Sequence, residues 1–380
     1  TKITMTNKKI NQMTDSELQE FATWIKTEIA KEFYGVDHVV DVLLTGYYLS
    51  FVRPRMSNVI LWGRGGFGKS ELVRKFFELI GEAARVFDFS KETTVERLLG
   101  GQNLAIWRDE GIEYFNLDLS VFSHSYGIWE EALSAPASVL AMMRNPLASG
   151  TFSQNQQVYA VQSKFIVICT NATPSDFQGD RDTAALLERF PYQLMVDWSH
   201  LDDSSKSAGY RFICKKIMPT MKSSDAEIFA ETAVGEDISP RTLISAISAL
   251  KFLVKMNPLN SAADALQMMG YVAANADVLR QQRQRIVLDA ALNKCTKSIS
   301  DVTHNVVSMF NSPNKDKVGI PLLQAAQQLL DAAKFEIRNV AESVKADVPD
   351  AMDSLTVKLS DINKIEIQLQ GIAGKLALGG

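Results

Sequence analysis

The sequence predicts an α/β domain built on a mostly parallel sheet, followed by an all-helical part of the chain. Short apolar runs at residues 59–62 and 165–169 have the length and composition of buried strands. Helical periodicity flanks both runs, and alternating strands and helices favour a sheet covered on both faces. From about Leu201 onward the apolar spacing is wholly helical. A chain of 380 residues is long enough for two or three such domains.

Composition narrows the functional classes. The net charge is −4, and no Lys/Arg run with interleaved aromatic residues is present, which argues against nucleic acid as a partner. The nearest basic cluster, Arg280, Arg283 and Arg285, suits a solvated helix face equally well. Three widely spaced cysteines indicate reduced thiols. Since no window holds eighteen apolar residues and the start lacks a signal-peptide pattern, we expect a cytoplasmic protein without a membrane span.

The first elements are helical. Asp15-Ser16-Glu17 is typical of a helix opening, and Leu18, Phe21, Trp24, Ile25 and Ile29 then follow a helical period. Gly35 ends this helix, and a second one is predicted through residues 39–44. The apolar run Val59-Ile60-Leu61-Trp62 then predicts the first strand of the sheet.

A glycine-rich turn with the sequence Gly63-Arg64-Gly65-Gly66-Phe67-Gly68-Lys69-Ser70 comes directly after this strand. Glycines allow the backbone to wrap around a phosphate chain with its N–H groups pointing inward, and the next helix offers its positive end. Lys69 is expected to reach the β and γ phosphates, and the Ser70 hydroxyl is expected to ligate Mg²⁺. The motif predicts ATP and Mg²⁺ as cofactors, with Glu71 included among the nucleotide-binding residues.

Two adjacent acidic pairs compete for the role of the catalytic carboxylates. Asp109-Glu110 follows an apolar run but is cut off at once by Gly111, which favours an exposed loop. Glu130-Glu131 leads into a helix-like run from Ala132 to Arg144 and is the preferred pair. The expected strand before it, residues 123–127, is poor in apolar residues for a buried strand. Either pair is also consistent with solvated acids at the end of a helix.

Three further residues are site candidates with open alternatives. Asn171 follows the strand at residues 165–169, where it would contact the γ-phosphate or the attacking water, or would cap the turn before Pro174. Arg189 would stabilise the transition state in a neighbouring subunit, or be a surface charge. Arg241 follows Ser239-Pro240 at a helix start, where it would face phosphate or solvent.

The predicted organisation has four parts: an arm at residues 1–17, the α/β domain at 18–200, a helical lid at 201–311 and a helical extension at 312–380. Ser312-Pro313-Asn314-Lys315-Asp316-Lys317 indicates a loop or linker. Amphipathic stripes beyond it, on either side of Pro349, predict two helices that pair as a hairpin or dock against a partner.

In order and spacing these motifs resemble an AAA+ ATPase, in particular the MoxR family, over roughly Leu18 to Leu266. The segments that carry the resemblance are Phe33–Val40 beside the adenine, the Walker A motif at 63–70, Thr93–Gly101 before the family's inserted loop, Walker B at 129–140, sensor 1 at 170–172, the arginine finger at 187–190 and sensor 2 at 239–241.

The resemblance implies a nucleotide domain with a helical lid that assembles into a homo-oligomeric ring, commonly a hexamer. It implies ATP-driven maturation or remodelling of partner proteins, often ones with a von Willebrand factor A domain. By the same resemblance Val36 lies in the nucleotide site, Glu131 positions or activates water, and Trp107 in the loop from Gly101 to Gly111 touches substrate in the pore.

One departure from the family pattern is that Glu130 stands where Walker B normally has aspartate. The extra methylene is expected to alter the magnesium shell and slow turnover. Three functional hypotheses therefore stay open: an ATP-hydrolysing remodeller of proteins, a nucleic-acid motor or loader, and a structural ring that binds ATP but hardly cleaves it.

Overall fold

The computed structural model describes residues 9–154, 157–177, 181–273, 276–310, 315–344, 348 and 351–377. The chain forms two compact units, Thr1–Met256 with Asp264–Tyr271 and Asn257–Ala263 with Val272–Gly380. The division between the units falls at residues 256–272, and the predicted boundaries at 17, 200 and 311 stay predictions.

The first unit contains a parallel five-stranded sheet. The strands of the described residues are β1 (Val59–Trp62), β2 (Ala84–Asp88), β3 (Tyr126–Glu130), β4 (Thr151–Gln154), β5 (Gln157–Ala160), β6 (Phe165–Cys169) and β7 (Tyr192–Met195). The sheet has the order β2-β3-β6-β1-β7, and all four pairings are parallel. β4 and β5 form a separate antiparallel hairpin. The predicted α/β fold with helices around a parallel sheet is confirmed.

The central strands explain where the loops of the site meet. Every residue of β1 and β6 is buried, as expected of strands that are covered on both faces. Leu61 is paired with Cys169, and Glu130 is paired with the same Cys169 from the other side. Because the strands are parallel, their carboxyl ends lie at one edge of the sheet, and the loops after β1, β3 and β6 begin side by side.

Helices cover the sheet and continue into a helical region. Those before residue 272 are α1 (Asp15–Ala30), α2 (Asp37–Val52), α3 (Lys69–Ile80), α4 (Val95–Leu98), α5 (Leu104–Glu110), α6 (Ala137–Ser149), α7 (Arg181–Leu187), α8 (Asp203–Ile217), α9 (Ser223–Gly235), α10 (Pro240–Met256) and α11 (Ala262–Met268). Thr14 caps the start of α1: its side chain accepts from the Glu17 N–H, while the Glu17 carboxylate accepts from the Thr14 N–H. α3 buries Leu72, Val73 and Phe76 against the sheet.

Three local predictions are wrong. The strand before the acidic pair is Tyr126–Glu130 rather than 123–127, because the Ser123 hydroxyl donates to the backbone carbonyls of Asp118 and Ser120 in a turn. The helix after the pair begins at Ala137, behind Pro136, and not at Ala132. Asp109-Glu110 ends helix α5 instead of lying in a loop, although both residues are exposed as expected.

The second unit is helical, as predicted, with α12 (Ala276–Phe310), α13 (Lys315–Val344) and α14 (Ala351–Ala377). All three helices pack together, so the predicted hairpin of α13 and α14 has a third member. Residues 315–317 of the predicted linker belong to α13, whereas Ser312, Pro313, Asn314 and Pro349 lie outside the described residues. No helix in the described part of the chain is both long and apolar enough to cross a bilayer.

Candidate nucleotide-binding site

The turn between β1 and α3 has a backbone that requires glycine. Gly63, Gly66 and Gly68 have φ angles of 124°, 89° and 78°, in the region that side chains disfavour. A Cβ atom on Gly66 would lie 2.7 Å from the Ser239 hydroxyl oxygen, so a larger residue does not fit there. The turn ends directly in α3, whose first residue is Lys69. Free N–H groups at a helix start and a wrapped loop are the features that hold a phosphate chain.

Lys69 is buried at the centre of this turn. Its ammonium donates to the carbonyls of Gly63 at 2.6 Å and Arg64 at 2.9 Å, and to Asn171 Oδ1 at 3.2 Å. Burial lowers the pKa of Lys69, while the nearby carboxylates, Glu131 foremost among them, oppose that shift. Lys69 and Asn171, which the sequence predicts separately as site residues, are therefore in direct contact, although they are 102 positions apart in the sequence.

Ser70 and Glu130 form the second contact of the site. The Ser70 hydroxyl donates to Glu130 Oε2 at 2.6 Å, and Arg74 lies 3.5 Å from the other carboxylate oxygen. Burial raises the pKa of Glu130, while the Ser70 hydrogen bond and the Arg74 charge lower it. A hydroxyl and a carboxylate are hard oxygen ligands, and two such ligands on one octahedral Mg²⁺ would stand about 2.9 Å apart. The observed pair fits that requirement after a small widening.

Glu131 lies next to the magnesium candidates and has a left-handed backbone, with φ of 53°. Its N–H donates to the Cys169 carbonyl at 2.8 Å, which ties the end of β3 to the end of β6. Its carboxylate accepts from the Thr170 hydroxyl at 3.2 Å and from the Asn171 N–H at 3.1 Å. The carboxylate is thus fixed beside Asn171, in a position from which it can orient a water molecule.

One cavity of about 160 Å³ is lined by the five polar residues described above, Lys69, Ser70, Glu130, Glu131 and Asn171. The rest of its lining is Gly65, Gly66, Gly68, Glu71, Cys169 and Arg241. Arg241 enters at the start of α10, where Ser239 caps the helix by accepting from the Thr242 N–H at 3.3 Å, as the sequence predicts. The Arg241 N–H also donates to the Gly66 carbonyl at 3.1 Å. Asp109 and Glu110 are absent from the lining, which favours Glu130-Glu131 as the acidic pair of the site.

A second, larger cavity of about 400 Å³ adjoins the first and shares Gly66, Gly68, Glu71 and Arg241 with it. Aromatic and aliphatic side chains dominate its lining: Phe33, Tyr34, Val36, Val196, Trp198 and Phe212. A flat apolar ring such as a nucleobase fits this chemistry. The predicted residue Val36 lies here, at the start of α2.

The residues that sequence reasoning missed are those of the larger, apolar cavity, Trp198 and Phe212 above all. Trp198 is buried beside β7 and contacts the rings of Tyr34, Phe67 and Tyr210. Apolar residues in a helical pattern give no signal of a cavity, because the same pattern describes ordinary core. Cys169 was also missed, and its thiol is fully buried, with a pKa raised by burial.

Arg189 lies outside both cavities. It comes after α7, its guanidinium Nη1 stands 3.3 Å from the exposed Glu188 carboxylate, and its buried Nε has no partner within the described residues. Its backbone carbonyl accepts from the Asn58 side chain at 3.2 Å, which holds this turn beneath β1. The residue is thus separate from the site of its own chain.

A glycine turn with free N–H groups, a buried lysine, a hydroxyl–carboxylate pair and an adjoining apolar cavity are the features expected of a P-loop nucleotide-binding site. Residues 58–190 match the family model described as the AAA domain (dynein-related subfamily). This part of the chain is therefore an AAA domain, a class that binds and hydrolyses nucleotides, and it includes Lys69, Ser70, Glu130, Glu131 and Asn171. The match does not distinguish the MoxR family, which stays a prediction.

Solved structures with a similar fold have low identity to this chain. The S. cerevisiae Hsp104–ADP complex is 16% identical over 66% of this chain and 51% of its own, with a TM-score of 0.44. The S. cerevisiae Hsp104–casein complex in its extended conformation is 17% identical over 66% and 51%, with a TM-score of 0.48. Domain III of the Thermotoga maritima replication initiation protein DnaA is 14% identical over 64% and 95%, with a TM-score of 0.43.

The chain spans about half the length of the Hsp104 chains it matches. No curated protein sequence matches it significantly.

Proposed function

We propose that this chain is a Mg²⁺-dependent ATPase of the MoxR type, which assembles into a ring, commonly hexameric, and remodels partner proteins. The observation that carries the proposal is the convergence of Lys69, Ser70, Glu130, Glu131 and Asn171 on one cavity. These residues come from three separate segments, at the start of α3 and at the ends of β3 and β6, and each supplies a group that phosphoryl transfer needs. The adjoining apolar cavity supplies a place for the adenine.

Each side chain has a distinct role in this proposal. Lys69 binds the β and γ phosphates with the N–H that now donates to the Gly63 carbonyl, while the Arg64 carbonyl and Asn171 hold its position beside them. Ser70 and Glu130 would hold the magnesium ion, which when bound neutralises charge on the phosphate oxygens. Glu131 orients the attacking water, since its carboxylate is fixed by Thr170 and Asn171.

Arg189 supports the assembly part of the proposal. It lines neither of the two cavities described above, and within the described residues its guanidinium contacts the exposed Glu188 carboxylate. A cation in such a place would complete the site of an adjacent subunit, where it stabilises charge that develops on the transferred phosphoryl group. Hydrolysis would then require assembly.

The substrate in this proposal is a partner protein, of the kind that carries a von Willebrand factor A domain. Helix α5 and its flank expose three large apolar side chains, Leu104, Trp107 and Ile112, each more than half accessible. Exposed apolar groups on one short segment are typical of a surface that contacts protein. In a ring this segment would face the pore, as predicted for Trp107.

The experiment compares ATP hydrolysis and particle mass for the wild type, Lys69→Ala, Glu131→Gln and Arg189→Ala. We expect Lys69→Ala to lose nucleotide binding and Glu131→Gln to bind ATP with little turnover. Arg189→Ala should bind nucleotide normally and hydrolyse it slowly. Mixing Arg189→Ala with Glu131→Gln should restore part of the activity, because some interfaces then carry one intact residue of each kind. Normal turnover by Arg189→Ala alone would refute the shared site.

A second candidate is a ring that binds ATP but hardly cleaves it, and the Ser70–Glu130 contact favours it. The glutamate reaches the serine hydroxyl directly, at 2.6 Å, and so competes with the ion for that ligand. Glu130→Asp would withdraw the carboxylate by about 1.5 Å, the length of one carbon–carbon bond. If the glutamate slows turnover, this variant hydrolyses ATP faster than the wild type, whereas equal or slower hydrolysis removes the candidate.

A further inference from the structure

An ion pair joins the phosphate-binding turn to the helical region that comes after the sheet. The Arg64 guanidinium contacts the Asp237 carboxylate through Nη1, and its Nη2 donates to the Asp237 carbonyl at 3.2 Å. Arg64 is the second residue of the glycine-rich turn, and Asp237 lies in the connection between α9 and α10. We call this two-point contact the Arg64–Asp237 clasp.

Asp237 has an uncommon backbone conformation. Its φ angle is 51°, in the left-handed region, which Asp and Asn adopt more readily than most residues. The next residue, Ile238, donates its N–H to the Ala233 carbonyl at 2.9 Å and accepts from the buried Tyr210 hydroxyl. These two hydrogen bonds hold the α9–α10 connection in place next to the Asp237 carboxylate.

The same connection touches the turn at a second point. Ser239 lies against Gly66, and the Arg241 N–H donates to the Gly66 carbonyl at 3.1 Å. The Arg64 guanidinium also stands 5.4 Å above the Phe67 ring, which keeps it extended along the turn. Residues 237–241 thus contact the turn at both Arg64 and Gly66. We therefore expect a movement of this connection to move the turn with it.

The clasped residue bears directly on the phosphate-binding lysine. The Arg64 carbonyl accepts from the Lys69 ammonium at 2.9 Å, so a shift of Arg64 displaces a group that holds Lys69. A displaced turn would also lose the inward direction of its N–H groups, which is what retains a phosphate chain.

We infer that the Arg64–Asp237 clasp couples the α9–α10 connection to the phosphate-binding turn and slows the release of bound nucleotide. The inference rests on the proposed nucleotide site and deepens it, by assigning Arg64 and Asp237 as positioning residues that touch no reacting atom. Breaking the clasp frees the turn to open, and the nucleotide then dissociates faster.

The test is the dissociation rate of a fluorescent ADP analogue from the wild type, Arg64→Gln, Asp237→Asn and the double variant, measured by stopped flow with unlabelled ADP as competitor. Asparagine keeps the left-handed backbone of residue 237 but removes the charge. Each single variant should release ADP about two to five times faster, the range that an exposed ion pair supports. The double variant should release ADP no faster than Arg64→Gln, which by itself already removes both points of the clasp.

Arg211→Gln is the matched control. It removes the Arg211–Glu227 pair between α8 and α9, which is bonded at 2.8 Å and has side chains that are exposed to a similar degree, but it touches neither cavity. This variant should release ADP at the wild-type rate. Raising the salt concentration should speed release from the wild type by a larger factor than from the clasp variants, because only the wild type has the exposed ion pair to lose to screening.

Two failures are distinguishable. A wild type that binds no ADP in the presence of Mg²⁺ refutes the proposed function. A wild type that binds ADP while the clasp variants release it at the wild-type rate refutes the inference alone. Equal acceleration by Arg211→Gln also refutes it, because the effect would then come from loosening the helical region in general.

Discussion

Replacing Glu130 by glutamine tests the proposed magnesium site at the residue that departs from the aspartate of the family pattern. The change keeps the length of the side chain but removes its negative charge. Ser70 can still donate to the amide oxygen, as it now donates to the carboxylate at 2.6 Å. The packing around residue 130 is therefore preserved, and the ion loses one anionic ligand.

The expected effect is on the requirement for Mg²⁺. The loss of an outer-shell partner of a metal ligand typically costs about 10–100-fold in metal affinity, and we expect the loss of an anionic ligand to cost at least the lower of these factors. Water can take the vacated position on the ion, so we expect the lower end. That corresponds to a rise of about tenfold in the Mg²⁺ concentration at half-saturation, or about 1.4 kcal/mol.

The assay is a Mg²⁺ titration of fluorescent ADP binding at a fixed nucleotide concentration. Glu110→Gln is the matched control, because it removes the same charge from the competing acidic pair, which is exposed on α5. It should leave the titration unchanged. If Glu130→Gln leaves the midpoint where it is in the wild type, or Glu110→Gln moves it equally, Glu130 is not a ligand of the ion.

Three further outcomes are expected. Arg74→Gln removes a positive charge that lowers the pKa of Glu130, so the Glu130 carboxyl should become protonated at a higher pH. As the pH is lowered, Mg²⁺-dependent ADP binding should therefore be lost at a higher pH in the variant than in the wild type. A series of ADP titrations at different pH values measures this, and loss of binding at the same pH in both proteins contradicts it. Gly46→Ala should lower the free energy of unfolding by about 1–3 kcal/mol, because the added methyl would lie 2.5 Å from the Phe165 ring, and chemical denaturation would show instead a gain of up to about 1 kcal/mol if helix propensity dominated. Lys334→Met should destabilise the second unit by about 3 kcal/mol, because its carboxylate partner on α14 stays mostly buried without its cation, and an unchanged thermal melt of the variant would show that the pair contributes little.

The phosphate-binding turn could be predicted because all of its parts are local. Residues 63–70 are contiguous, and a strand, a glycine turn and a helix in succession leave few alternatives for their conformation. The acidic pair was harder, since two pairs had similar local patterns. The helix-like run after Glu131 favours Glu130-Glu131, and the pairing of β3 with β6 brings the Glu130 carboxylate to Ser70.

The predicted boundaries of β3 were wrong because of local hydrogen bonds in the turn that precedes the strand. Ser123, His124 and Ser125 precede the strand, and the Ser123 side chain satisfies backbone carbonyls of the turn before it. The strand proper is Tyr126–Glu130, and its first four residues are buried. Polar residues beside a strand carry no mark of whether they belong to the ladder or to the turn.

The base cavity and the Arg64–Asp237 clasp were beyond prediction from the sequence. Phe33 and Phe212 line the same cavity although 179 positions separate them in the chain, and each taken alone looks like a core residue. In the sequence, Arg64 and Asp237 look like ordinary surface charges. Only the fold brings the α9–α10 connection against the glycine turn and places the two side chains in contact.

By itself the sequence determined the glycine turn, the apolar strands, the helical character of the C-terminal part and the residue types of the site. These arise from short-range effects, namely backbone freedom at glycine and the periodicity of apolar side chains. The tertiary structure alone decided which acidic pair contacts Ser70, which side chains line the apolar cavity proposed for the base, and that Asp237 contacts Arg64 of the turn. Those contacts depend on strand order and helix packing, which bring together residues that no local pattern connects.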